Sequence, residues 1–160
     1  RRGDRGHGVR RRTGSLVRKS QSERQYHAYR ASKGVDWSEV CDFCYLAEHG
    51  GEQVVAETEH CLVIVNLFGY DVWDGYNVEQ HFMVVPKRHV ASISELTSEE
   101  RADYIDTMAR YEADGYSLYA RAPGNSAKSV LHQHTHLIKI DDNHKKWLIY
   151  IQRPHILWTR

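Results

Sequence analysis

The run Ser129-Val130-Leu131-His132-Gln133-His134-Thr135-His136-Leu137-Ile138 alternates histidine with other residues inside an apolar frame. On a strand, successive side chains point to opposite faces, so three imidazoles are expected to line one side about 7 Å apart. The internal position of the run excludes a tag remnant. Half-buried sheet histidines are the bland alternative. Neutral imidazoles on one face suit zinc or iron, or nucleophilic catalysis, and spacing alone does not separate these.

Outward from this run, the chain divides at turn signals. Gln53–Glu57 and Cys61–Asn66 are β-rich runs a few residues apart, as in a hairpin. His81–Pro86 is another strand, closed by Pro86, which has no ladder donor to give. Thr97 with Glu100 matches a capping box, Ile105, Met108 and Tyr111 recur at helical spacing, and Gly115 ends the helix. Tyr116–Ala122 and Ser129–Ile140 are strand candidates divided by Pro123-Gly124-Asn125, and Trp147–Ile151 is a candidate edge strand. Residues 25–40 are amphipathic and end in Asp36-Trp37-Ser38, a turn leading into Cys41 and Cys44. Residues 67–80 follow neither period and read as a loop. The sum is an α+β domain: a five- to six-stranded, mainly antiparallel sheet with one long helix and a short N-terminal helix or turn.

With 160 residues, one domain with a tail is expected. No apolar run approaches the roughly 20 residues of a membrane span, so no membrane contact is expected. Three cysteines, two of them as Cys41-x-x-Cys44, argue against a secreted disulfide framework and for a reducing, cytoplasmic setting. Residues 1–24 carry nine Arg or Lys against Asp4 and Glu23, a charge of +7; the total of +1 leaves −6 for residues 25–160. A flexible basic arm thus precedes a single acidic domain, and the arm suits weak contact with a nucleic acid or polyphosphate. No apolar h-region of a signal peptide is visible.

The triplet and its frame resemble the signature of the histidine-triad (HIT) family. Cys61-Leu62-Val63-Ile64-Val65-Asn66 and His81-Phe82-Met83-Val84-Val85-Pro86-Lys87-Arg88-His89 are similar to the two preceding strands of that family. The resemblance spans roughly Cys41 to Ile140 and implies a HIT-like fold. It also implies a nucleotide-handling enzyme, typically a homodimer, that cleaves nucleoside-phosphate-X at the α-phosphorus. By position, His134 would be the nucleophile that forms a nucleotidyl-imidazole intermediate. His136 would face the phosphate oxygens, and Ser129 would contact phosphate or leaving group. Asn66 would hold the ribose hydroxyls, and Phe43, Leu46, Ile64 and Leu67 would sandwich the base. For those four the alternative is core packing.

Two departures from the family pattern stand out. Lys128 replaces the Gln that usually precedes the serine, which would either favour a more anionic leaving group, with Asn125 a further polar candidate, or be a solvated loop charge. Gln133 and Thr135 replace apolar residues, so the opposite face of the strand is either less buried or hydrogen-bonded. Some family members bind structural zinc through a cysteine pair and two histidines, and Cys41, Cys44, His89 and His132 match that set. No organic cofactor is implied. Residues 67–80 exceed the family's usual link, and their aromatics Tyr70, Trp73 and Tyr76 would stack on substrate, cover the site, or pack on a second subunit or on Trp147 and Trp158. Besides the hydrolase or transferase, two readings stay open. One is a dinucleoside polyphosphate phosphorylase drawing on Lys128 and Lys87. The other is a non-enzymatic nucleotide- or nucleic-acid-binding module.

Overall fold

The computed structural model describes residues 18–32, 41–144, 148–151 and 156–159. The first 17 residues of the expected arm, the Asp36-Trp37-Ser38 turn and Trp147 lie outside the described residues. Helix α1 (Ser20–Ser32) begins within the stretch assigned to the arm, and α2 (Asp42–His49), opened by the N-cap Cys41, carries Cys44 three residues after it. Strands β1 (Val54–Glu57), β2 (Cys61–Val65), β3 (Val72–Trp73) and β4 (Tyr76–Pro86) follow. Helix α3 (Ser98–Ala113), β5 (Ser117–Tyr119) and β6 (Thr135–His144) complete the main body. Its sheet has six antiparallel strands in the order β1-β2-β4-β6-β5, with β3 paired to β4. The expected fold class therefore holds. Among the described residues no helix is long and apolar enough to cross a membrane.

Period-2 alternation explains how the sheet sorts its side chains. Cys61 and Val63 of β2, Val84 of β4 and Leu137 of β6 pack under α3 with Tyr104 and Met108. Leu62 and Ile64 of β2 and Met83 and Val85 of β4 point the other way, against Phe43 and Leu46 of α2. In register, Met83 lies opposite His136 and His81 opposite Ile138, which assigns His81 and His136 to the α2 side. Thr135 goes to the α3 side, where its hydroxyl lies 2.7 Å from Tyr104 Oη. Thr135 and Gln133 are both buried, so of the two readings of these polar residues the hydrogen-bonded one fits.

Four local expectations need correction. The 67–80 stretch is no simple loop: Asp74 and Gly75 take positive φ, 49° and 87°, and turn β3 into an elongated β4. Asp-Gly at a two-residue turn favours a type I′ hairpin, because both central positions need φ > 0. Strand β6 starts at Thr135, not Ser129. Its ladder with β4 ends at Val84↔Thr135, and Pro86, two residues on, has no N–H with which to extend it. Helix α3 has the expected capping box, yet Ile105 is 53% exposed and the inward face is Tyr104, Thr107 and Met108, with Tyr111 at its edge. Finally, β7 (Leu148–Ile151) does not edge the main sheet but pairs with β8 (Ile156–Thr159).

Candidate active site and metal cluster

The site begins where β6 has not yet formed. His134 Nδ1 lies 2.8 Å from the carbonyl oxygen of His132. A carbonyl only accepts, so Nδ1 carries the proton and Nε2 keeps a lone pair. Burial, with the charges of Lys128 and Arg121, holds His134 below the usual histidine range, although its hydrogen bond to His132 opposes this. The ring is 7% exposed and meets Phe43 edge-on at 5.4 Å.

His136 is fixed through a residue the sequence did not single out for chemistry. The amide N–H of Tyr70 donates to His81 Nδ1 at 3.0 Å, so the His81 proton sits on Nε2. That nitrogen is 3.0 Å from His136 Nδ1, to which it donates, so neutral His136 carries its own proton on Nε2. Asn66 Nδ2 also lies 3.2 Å from His81 Nε2, but two donors cannot bond each other, and Asn66 Oδ1 is occupied by the Phe68 N–H. Burial lowers His81 to about 3 and pushes His136 well below the ordinary range. The pair therefore offers one uncharged N–H donor next to the His134 lone pair; the rings of His134 and His136 stand 5.1 Å apart and perpendicular.

The 67–76 segment covers this pair. Tyr70 stacks on His81 at 5.0 Å, Tyr119 stacks on His136 at 5.8 Å, and Trp73 packs edge-on against Tyr119. Of the expected uses of these aromatics, covering the site fits best. Gly69 allows a close approach: a Cβ there would stand 3.2 Å from His81 Nδ1, tighter than an ordinary contact. Arg121 donates to the hydroxyls of both Tyr119 and Tyr70 and to Ala127 O. Arg18 lies over the rings of Tyr26 and Tyr70 and donates to Phe68 O. Tyr70 was expected near the site only as an aromatic, not through its backbone N–H, and Arg121 and His81 were not singled out, since no turn or cap chemistry marks them. Only the His81-Phe82-Met83-Val84 alternation, which aims His81 at the triad face, was a usable signal.

The remaining candidates divide. Phe43, Leu46 and Ile64 form one apolar cluster, but Ile64 is 1% exposed and acts as core, whereas Leu67 is 57% exposed and outside the cluster. Ser129 is half-buried and its hydroxyl makes no hydrogen bond among the described residues. Lys128 Nζ donates to Gln133 Oε1 and Ala91 O, each at 3.2 Å. Asn125 is exposed and its Oδ1 accepts from Ala127 N, which makes it a turn former rather than a wall of the site. Lys87 is engaged by Glu57 at 2.7 Å.

A second centre adjoins the first. The ligand atoms of Cys41, Cys44, His89 and His132 all lie within 4.8 Å of one another. His132 Nε2 donates to Pro86 O at 2.8 Å, which leaves its Nδ1 lone pair facing Cys41 Sγ at 3.3 Å and Cys44 Sγ at 3.6 Å. His89 Nδ1 is 3.2 Å from Cys44 Sγ. Tetrahedral zinc with ordinary Zn–S and Zn–N bonds would set sulfur and nitrogen about 3.6 Å apart. The tautomer, donor set and spacing thus fit a closed Cys₂His₂ zinc site. Burial, with Cys41 alongside, pushes the Cys44 thiol up to about 11, a proton that a divalent cation would displace.

The HIT domain profile matches residues 49–143. The chain belongs to the HIT family. Among solved structures, a hypothetical protein from Leishmania major is 26% identical with a TM-score of 0.52, covering 67% of this chain and 78% of that one. A HIT family member from Bacillus subtilis is 25% identical, TM-score 0.51, over 64% of this chain and 74% of that one. A HIT family hydrolase from Clostridium thermocellum shares the fold at 21% identity, TM-score 0.50, over 68% of this chain and 98% of that one. No curated protein matches the chain.

Proposed function

We propose that this HIT protein is a nucleotide hydrolase or nucleotidyl transferase acting at the α-phosphorus of nucleoside-phosphate-X. The observation that carries the reading is the His134 Nδ1–H to His132 carbonyl bond, which directs a lone pair on Nε2 away from the backbone. That lone pair forms the N–P bond while the P–X bond breaks and its electron pair leaves with X. In the second half, the oxygen of water or another acceptor forms a bond to phosphorus. The N–P electron pair then returns to His134, and the acceptor's proton passes to solvent. His136 Nε2–H, oriented by His81, donates to a phosphoryl oxygen as charge spreads over it. Phe43 and Leu46 form the apolar wall for the base, and Asn66 and Ser129 are polar groups for the ribose and phosphate.

Zinc held by Cys41, Cys44, His89 and His132 is part of the same reading. Its role is structural, since four protein ligands leave no open position. Assembly as a homodimer, expected from the family, is tested by light scattering. The test of the chemistry is His134→Ala with a nucleoside 5′-phosphoramidate as substrate. Turnover is expected to fall by about 10³-fold or more while a nucleoside monophosphate still binds. Retained turnover would refute the nucleophile, and mass spectrometry of the quenched parent should find the nucleotidyl adduct on His134.

A further inference from the structure

Helix α1 precedes residues 49–143, the part of the chain that matches the HIT domain, yet it grips the turn that orients the triad. Arg18, two residues ahead of the helix, donates from Nε to Phe68 O at 2.7 Å and lies over the Tyr70 ring at 4.9 Å. The backbone N–H of Lys19 donates to Asp71 Oδ2 at 2.6 Å, and the rings of Tyr26 and Tyr29 pack on Phe68 at 5.7 and 4.9 Å. The helix is itself tied to α2, since the Tyr29 hydroxyl donates to Asp42 Oδ2 at 2.6 Å. Residues 68–71 are therefore held from outside the HIT domain.

Arg18 is fixed in this position. Its side chain is 15% exposed, lies over the Tyr26 ring at 4.3 Å and stands 3.4 Å from the Glu23 carboxylate. A guanidinium shared by two phenol rings, with a carboxylate on one side and a carbonyl to accept its Nε–H, has little freedom to turn.

What the grip secures is the Tyr70 N–H, which donates to His81 Nδ1. While that amide occupies Nδ1, His81 donates from Nε2 and His136 presents its own Nε2–H to the site. Displacing the turn would free His81 Nδ1 to carry the proton. His81 Nε2 would then accept from His136 Nδ1, and His136 would turn a lone pair toward the site. A lone pair repels the phosphoryl oxygen that an N–H binds. Arg121 holds the Tyr70 hydroxyl, so Arg18 governs the backbone end of this residue and Arg121 its far end. After burial, the charge of Arg18 is also the leading cause that disfavours a second proton on His81.

We propose that Arg18 is a positioning residue for the triad: by clamping the turn from Phe68 to Tyr70 it fixes the tautomer of His81, and with it the donor that His136 offers. The inference rests on the proposed role of His136 as donor to a phosphoryl oxygen. Because Arg18 acts through the turn, its loss should lower kcat more than it changes KM.

The experiment compares the full-length parent, Arg18→Gln and Arg18→Lys by turnover of a nucleoside 5′-phosphoramidate and by long-range proton–nitrogen NMR of the imidazoles. In the parent, His81 and His136 should both carry the proton on Nε2. Arg18→Gln should lower kcat by about tenfold or more with KM changed less than about twofold, and should move part of both rings to the Nδ1–H form. Arg18→Lys keeps a charge and a donor for Phe68 O and should recover part of both effects; if Arg18→Gln does not fold, this variant carries the comparison, with smaller changes in the same direction. Parental tautomers in the variants would overturn the proposal whatever happens to the rate, because a merely structural loss leaves the rings as they are. Shifted tautomers with parental kcat would overturn it too. A parent without turnover would refute the proposed reaction instead, and the NMR comparison would still decide whether Arg18 sets the tautomers.

Discussion

His81 Nε2 and His136 Nδ1 stand 3.0 Å apart, and the Tyr70 amide behind His81 determines which of the two rings gives its proton to the other. A residue outside the triad thus sets the tautomer of one inside it. The same burial makes His81 a determinant of stability against acid.

With His81 lowered from 6.5 to about 3, acid should destabilise the fold with a defined sign. Below pH 6.5 the unfolded chain takes up a proton that the folded chain refuses. Stability is therefore full above that pH and declines as pH falls toward 3, by up to about 1.4 kcal/mol per pH unit for this ring. Urea midpoints of the parent and His81→Gln between pH 7.5 and 5 test this. The variant should show the shallower decline, and parallel curves would rule His81 out as a contributor.

Cys44→Ser should remove metal more than it removes substrate binding. Elemental analysis is expected to find about one zinc per chain in the parent and far less in the variant, with a melting temperature lower by several degrees. Equal zinc in both proteins would mean that the cluster is not a metal site.

Gly75→Ala should destabilise by about 1 kcal/mol, because φ is 87° at this position of the Asp74-Gly75 turn. Chemical denaturation measures the loss. A variant as stable as the parent would show that the turn tolerates an L side chain.

Thr107→Val should be neutral or stabilising, by up to about 1 kcal/mol. Thr107 Oγ1 is a buried polar atom without a hydrogen-bond partner among the described residues, so a methyl group of similar shape removes a desolvation cost and opens no cavity. A clear loss of stability would indicate a partner for the hydroxyl.

Much of the frame was legible because it depends on short-range rules. The short β-rich apolar runs Cys61–Val65 and His81–Pro86 mark strands, Thr97 and Glu100 mark the start of α3, and the cysteine pair with His89 and His132 marks the cluster. What stayed hidden depends on long-range contact. Ile105 looks like core by its chemistry and is exposed because the helix faces the sheet through Tyr104 and Met108. The Asp74-Gly75 signal was legible in principle and was overridden by the lack of periodicity around it. Nothing local to Tyr70 or Arg121 reveals that 51 residues of chain close on themselves to bring a phenol and a guanidinium together.

Three consecutive residues before β6 serve two centres in alternation. His132 faces the cysteines, His134 bonds back to the His132 carbonyl, and the Gln133 N–H between them is pinned to Val90 O at 2.6 Å. Because His132 and His134 share a face, inserting or deleting one residue here would turn their rings toward the opposite face, so both centres would fail in a single event. Neither can be rebuilt by drift while the other is kept.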